Sequence, residues 1–481
     1  MKSLKINTTL NMIKTCTSIV FPLITFPYIS RVLLTDNVGK VNFGATYVSY
    51  FSLIASLGIT TYAIRECAAV KKDKKKLSNM ASQIYSINII TTLVSYVLLI
   101  TSLILFRNID NYRLLIIIQS TVILFTTLGA DWLNSAMEDF LYITIRTITF
   151  QFISLALMFA FVHNPGDYIK YAAITVVSSS GASIANVWYR RKYCKVRLTT
   201  MIQWKRHIKP IVLLFVMILA QTIFSNVGIT MLGLIKGDGE VGIYSAANKM
   251  SNIISQLIAS LLFVIMPKMS SYFAEGDYKK INVMLRKVLG FNILLGFPCV
   301  IGVICSAKDI ILLIAGESFI EAVPVLKILM ICLFISLFGG NFLGNAILLP
   351  SKGEQYYMVV CCITAVVNII TNSFFIPLFG ARGAASSTVL SGLLIFVLLS
   401  LRIDKKIQIS NISKVFIAPT IGCILIAITC YIFSSISNLY IRILARVTVG
   451  CIVYVVTLLL LKNEIAFEVY KIIKKKLFHR E

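Results

Sequence analysis

Eight charged side chains lie within, or close the ends of, long apolar stretches of this chain: Lys14, Arg31, Arg65, Arg146, Lys249, Lys327, Arg446 and Asp131. A charge in hydrocarbon is costly unless its stem reaches an interface or it faces protein, water or a ligand. All but Asp131 are basic. Basic groups in a weakly solvating cavity attract an anion far more strongly than they would in water. The chemistry on offer is therefore the holding of an anionic ligand. Asp131 has two readings: it carries a proton or sodium ion, or it pairs with Arg146 or another cation.

Two of the cations sit in polar rows. Asn7, Asn11, Lys14, Ser18 and Thr25 recur at helical spacing, and Pro22 and Pro27 invite a bend in the same helix. Tyr244, Asn248, Ser251 and Ser255 form one row, and Lys249, Asn252, Gln256 and Ser260 a second. A polar face on a membrane-crossing helix must look at protein or water. Asp131, Asn134 and Glu138 also have helical spacing.

The elements that position these residues follow from composition. The chain has 481 residues, of which 58% are apolar and 14% charged. Soluble domains carry about 25% charge, so an integral membrane protein is expected. Fourteen stretches are long enough to cross a bilayer: 10–34, 41–64, 82–106, 114–136, 142–163, 168–189, 210–234, 241–266, 288–306, 323–349, 356–379, 382–402, 414–436 and 441–461. With both termini inside, the inner connections are the basic ones, among them RECAAVKKDKKK, RIDKK and KIIKKK. That bias explains much of the net charge of +26, and no nucleic-acid partner is needed. The eleven Cys lie mostly inside apolar runs and read as small buried residues. The N-terminus has no obvious small-residue cleavage site, so no removed signal peptide is expected.

The outer connections are short, the longest being 307–322. His163, His207 and His479 form no metal or catalytic constellation, and no nucleophile–base pair or Gly-rich phosphate loop stands out. An enzyme is therefore the least supported class, and a scaffold without transport is disfavoured by the polar rows. A parallel repeat is expected, with spans 1–6 and 7–12 as the copies. LGADWLNSAM (128–137) aligns without gaps to FGGNFLGNAI (338–347), and VG at 38–39 and 241–242 each opens a second span. The expected organisation is 1–209 as N-lobe, 210–402 as C-lobe, and 403–481 as two further helices with a basic tail.

PLITFPYISRVL, GKVNF, YFSLIASLGI and YAIRE resemble the opening of bacterial Wzx-type flippases for lipid-linked oligosaccharides. These belong to the multidrug/oligosaccharidyl-lipid/polysaccharide exporter superfamily. DWLNSAMEDFLYITIRTITF and NIITNSFFIPLFGARGAASSTVLS are similar to later helices of the same family. The resemblance covers nearly the whole chain. It implies an all-α polytopic membrane protein with fourteen helices, in two pseudo-symmetric six-helix lobes of V shape (MATE/MurJ-like) plus two C-terminal helices.

It further implies translocation of undecaprenyl-diphosphate-linked oligosaccharide from the inner to the outer leaflet of a bacterial plasma membrane. That would proceed by alternating access, with other glycan-assembly membrane proteins as further partners beside the lipid bilayer. Related flippases carry a substrate-binding Arg at the place of Arg31. The substrate-binding set expected here is Arg31, Lys14, Lys249, Arg146 and Arg65, with Asp131 for ion coupling. No metal or cofactor is expected, and a proton or sodium gradient would supply the drive. Snorkelling stays open for Arg31, Lys14, Arg146 and Lys249, whose row could also be a structural face of hydrogen-bonded amides; Arg65 could be a simple topology mark at the inner face; and snorkelling is the better reading for Lys327 and Arg446 near outer ends. The main rival is a drug or cation exporter of the same superfamily, whose cavity should be acidic.

Overall fold

A computed structural model describes residues 4–404, 406–408 and 412–467. Among them there is no strand. The helices are α1 (Leu4–Ser56), α2 (Ile59–Ala69), α3 (Lys74–Leu105), α4 (Arg113–Gly129), α5 (Trp132–Ala136), α6 (Phe140–Phe161), α7 (Tyr168–Tyr189), α8 (Trp204–Ile235), α9 (Asp238–Glu275), α10 (Tyr278–Ile314), α11 (Ala322–Phe338), α12 (Glu354–Ser400), α13 (Ile412–Ile432) and α14 (Leu439–Leu460). A π-helical segment, Gly339–Leu348, continues α11.

Each expected apolar stretch coincides with helix along most of its length. Ten helical segments among the described residues are long and apolar enough to cross a membrane, by length and composition. Two of these, Ile13–Ala69 and Glu354–Ser400, each contain two of the expected spans. The joints within them are backbone breaks rather than loops. Leu34 adopts φ 62° in α1, and Gly380 adopts φ 55° in α12, three residues after Pro377. A further break at Leu57 and Gly58 sets off α2 from α1. Helices α7 and α9 hold the sixth and eighth expected spans and fall outside the set of ten; both carry rows of Ser and Asn.

The chain divides into two compact units, 1–242 and 243–481. Helix α8, which the sequence assigns to the head of the second half, packs on α1 and α2 within the first unit. The core of that unit at the end with the basic loops includes Ile59, Tyr62, Leu77, Ile84 and Leu133. In the second unit α10, α13 and α14 pack together, with Gly422 seated against the Tyr454 ring and the Tyr454 hydroxyl donating to the Leu294 carbonyl at 2.8 Å.

The two halves repeat local devices. Asp73 accepts from the backbone N–H of Lys75 at 2.9 Å and so caps α3. Asp277 accepts from that of Lys280 at 3.1 Å and caps α10. The aligned decapeptides interrupt their helices in different ways. Ala130 takes φ 49° between α4 and α5, whereas Gly339–Leu348 widens into a π-helix.

Candidate functional site

The break at Ala130 decides how Asp131 is used. Asp131 sits at the start of the short α5, so it does not share one helical face with Asn134 and Glu138 as the spacing suggests. Instead the three diverge. Arg146 of α6 donates to Asp131 Oδ1 at 3.0 Å, and Ser183 of α7 donates to Oδ2 at 2.7 Å. Asn134 donates to Asn186 Oδ1 at 2.7 Å, and Asn186 in turn donates to the Gly129 carbonyl. Glu138, itself at φ 57°, pairs with Lys71 at 2.7 Å. The Arg146 side chain is 7% exposed and that of Asp131 39%. Of the two sequence readings, pairing with Arg146 is the arrangement present.

Beneath this pair lies a cluster that the sequence reading did not single out. Tyr142 and Tyr189 stack with ring centroids 3.4 Å apart, and Arg146 lies over the Tyr142 ring at 5.2 Å. The Tyr189 and Tyr193 hydroxyls each donate to Asp139 Oδ2 at 2.8 Å. Burial pushes the Asp139 carboxyl up, but the Tyr193 and Tyr189 hydroxyls, the Tyr142 N–H and Lys192 together hold it below the usual carboxylate range. The signal was the spacing of Tyr189 and Tyr193 around a basic run, which reads more readily as a topology mark.

Arg31 is exposed on α1, three residues before the break at Leu34, and donates to the Pro27 carbonyl at 2.7 Å. The neighbouring Tyr28 fixes this part of α1 on α6: its hydroxyl donates to the Val162 carbonyl at 2.7 Å. Lys14 is half-buried towards the other end of this first part of α1, close to where Thr144 of α6 donates to the Leu10 carbonyl at 3.1 Å. The polar row around Lys14 is not uniform. Thr25 is buried and Ser18 exposed, and each donates to a carbonyl of its own helix. The side chains of Asn7 and Asn11 lie outside the described residues, as does that of Ser260 in the Lys249 row and the whole of His479.

Arg65 is 64% exposed, beside Glu66 at 3.3 Å, at the end of the unit that carries the basic loops. It stands apart from Arg31, which lies at the opposite end. Lys249 is half-buried on α9, between the buried Tyr244 and the exposed Asn252 and Gln256. Lys327 is exposed, in keeping with the interfacial reading.

Three expectations are corrected here. His207 lies ahead of the expected span 210–234 and so in a basic inner connection by sequence, but it is fully buried in the first turn of α8, with the Tyr62 hydroxyl 2.7 Å from Nδ1 and Gln83 Oε1 3.1 Å from Nε2. Arg446 does not snorkel. Its side chain is 9% exposed and donates to Asp309 Oδ2, while Arg442 grips the same carboxylate with Nε at 3.1 Å and Nη2 at 2.7 Å. Asp309 was placed in the outer connection 307–322, but α10 runs on to Ile314 and buries it. Asp131 is therefore not the one carboxylate set among the spans. Arg442 and Arg446, four apart in α14, were the available signal.

Arg446 also lines a groove of about 460 Å³ between α10, α13 and α14. Its other walls are almost wholly apolar, including Leu294, Pro298, Val303, Ile426 and Val447.

A nearly all-helical chain with two compact units, repeated helix breaks and cations among its spans defines a multi-pass membrane protein of transporter architecture. The family model described as polysaccharide biosynthesis protein matches residues 4–273, and the chain belongs to that family. The MatE model matches 214–374. A protein of Escherichia coli (strain K12) named as an O-antigen transporter is 22% identical over 76% of this chain and 88% of its own length. The capsular polysaccharide biosynthesis protein CapF of Staphylococcus aureus is 24% identical over 76% of this chain and 90% of its own. In fold, the chain is similar to the lipid II flippase MurJ in its inward closed conformation, with TM-score 0.73, 17% identity, and 97% of this chain and 99% of that one covered. It is also similar to an inward-facing multidrug resistance MATE family transporter, with TM-score 0.63 and 14% identity over 79% of this chain and 94% of that one. The resemblance read from the sequence is borne out.

Proposed function

We propose that this chain is a flippase that carries undecaprenyl-diphosphate-linked oligosaccharide from the inner to the outer leaflet of a bacterial plasma membrane by alternating access. Both termini would then be cytoplasmic. The observation that carries this reading is the recurrence of cations on the helices that hold the expected spans: Arg31 and Lys14 on α1, Arg146 on α6 and Lys249 on α9. Asp131 and Asp309 are each paired with arginine. Such a set suits an anionic substrate and disfavours a drug-cation exporter, whose cavity would present carboxylate. Membership of the polysaccharide biosynthesis family and relatives named for O-antigen transport and capsule synthesis support the same substrate class.

Lys14 and Arg146 towards one end of the first unit and Arg31 towards the other would meet the diphosphate and any acidic sugars in turn; Lys249 of the second unit is a further proposed cation. Arg65, exposed at the basic-loop end, meets the anionic head as it arrives. The groove with Arg446 on its wall takes the polyprenyl chain. A proton or sodium ion acts at the Asp131–Arg146 pair.

The test is transport of a fluorescent undecaprenyl-diphosphate oligosaccharide in proteoliposomes. Wild type is expected to transport, and Arg31→Ala and Lys249→Ala to lose transport while remaining inserted. Full transport by both variants would return these residues to interfacial anchors and overturn the binding assignment.

A further inference from the structure

We propose that the first unit holds a separate subsite for uncharged sugar hydroxyls, a proposal that rests on the reading of the substrate as a lipid-linked glycan. A cavity of about 560 Å³ lies at mid-length of α4 and α7, against the second part of α1 and the middle of α8. Its polar lining is made of Ser, Thr, Asn and Gln, and no ionisable side chain contributes to it.

The lining residues have a common bias. Ser49 donates its hydroxyl proton to the Thr46 carbonyl at 2.6 Å, Ser56 to Leu53 at 3.1 Å, and Ser179 to Thr175 at 2.8 Å. Gln119 donates to the Val41 carbonyl at 3.0 Å, and its own Oε1 is buried with no donor. Asn226 donates to Ser49 Oγ at 2.9 Å. The hydroxyl protons of Ser49, Ser56 and Ser179 are thus spent on helix backbone, so the lining presents hydroxyl lone pairs beside the second N–H of its amides.

A neutral wall of hydroxyls and amides selects its ligand. It holds no cation to match a diphosphate. It lacks the carboxylate that an organic cation needs. It is far too roomy for a dehydrated metal ion, whose oxygen ligands must converge within about 2.6 Å. A sugar fits on both counts: each hydroxyl is a donor, and the C–H faces of the ring pack on the Val48, Leu53, Val122 and Val176 side of the wall. The volume lies within the roughly 300–1,000 Å³ of small-ligand sites. The subsite would therefore read the first sugars of the glycan, while the cations hold the diphosphate.

The experiment uses the full chain in lipid nanodiscs. Affinity is measured for undecaprenyl diphosphate and for the same lipid bearing one glucose, galactose or N-acetylglucosamine. Wild type is expected to favour at least one glycosylated lipid over the bare lipid by about tenfold. Asn226→Leu is expected to bring that ratio close to one, and Ser179→Ala to reduce it by about fivefold, the scale of one hydrogen bond. Bare-lipid affinity should hold in both variants, which also certifies their folding. Ser179 donates only to its own helix, so the alanine leaves the fold intact. A ratio that stays at the wild-type value in both variants, or no preference for any sugar in wild type, overturns the subsite and leaves the flippase standing. Failure of wild type to bind even the bare lipid overturns the flippase reading, and the subsite falls with it.

Discussion

Asp309 faces two arginines with one negative charge, and the three side chains are nearly sealed, at 5%, 18% and 9% exposure for Asp309, Arg442 and Arg446. Removing one partner of a buried pair leaves an uncompensated charge, which costs about 3–5 kcal/mol. The effect should be lopsided here. Asp309→Ala strands two guanidinium groups, whereas Arg442→Ala leaves a matched pair of Asp309 and Arg446. Thermal unfolding in detergent should therefore show a much larger loss for Asp309→Ala than for Arg442→Ala, and equal losses would contradict the triad. A second residue-level prediction concerns Asp139. Its folded carboxyl is held below its ordinary value, so its stabilisation is present above the unfolded pKa of about 3.9 and is lost as pH falls through the folded value. Melting points followed from neutral pH to well below the unfolded pKa of about 3.9 should fall for wild type and fall less for Asp139→Asn. An unchanged slope would show that another group carries the acid response.

At the scale of elements, the two VG pairs that mark the start of second spans meet one another. A Cβ on Gly39 would lie 1.9 Å from the Asp238 carbonyl oxygen, and one on Gly242 would lie 2.1 Å from that of Thr35. Backbone packs on backbone, as small residues permit between membrane helices. Gly39→Ala and Gly242→Ala should each destabilise by at least about 1–3 kcal/mol, the usual cost of overpacking. Gly166→Ala, where an added Cβ meets nothing within 4 Å, should be neutral in the same detergent melts. Destabilisation by Gly166→Ala equal to that of the other two would remove packing as the cause. The sequence showed VG as a repeat, but not that the copies touch, because similarity between segments carries no distance. Helices were legible because apolar length dictates a crossing. Their ends at 34 and 379 were legible too, beside the breaks at Leu34 and Gly380; what was not legible is that these junctions are sharp backbone breaks, since a leucine rarely takes positive φ. Asp309 was misplaced on similar grounds: KDIILLI continues an α-helix as readily as it opens a loop.

At the scale of the whole molecule, the charges legible in the sequence were single residues, and their partners were supplied by helices far along the chain. Arg146 could be matched to Asp131 because only fifteen positions separate them. Arg446 was left as an anchor because Asp309 is 137 positions away. The pairing of Asp131 also sharpens how a gradient would drive the cycle. On the proposed coupling, a proton or sodium ion arriving at Asp131 would compete with the Arg146 guanidinium and the Ser183 hydroxyl, so ion binding and release of Arg146 would be one event. The freed cation would then be available to the diphosphate. If this coupling holds, Asp131→Asn makes Arg146 permanently available and removes the ion site. Proteoliposomes with that variant should still equilibrate labelled lipid between leaflets, but an imposed proton or sodium gradient should no longer accelerate or bias transport as it does in wild type. Gradient-driven transport that persists in Asp131→Asn would place the coupling ion elsewhere and leave the Asp131–Arg146 pair as structural.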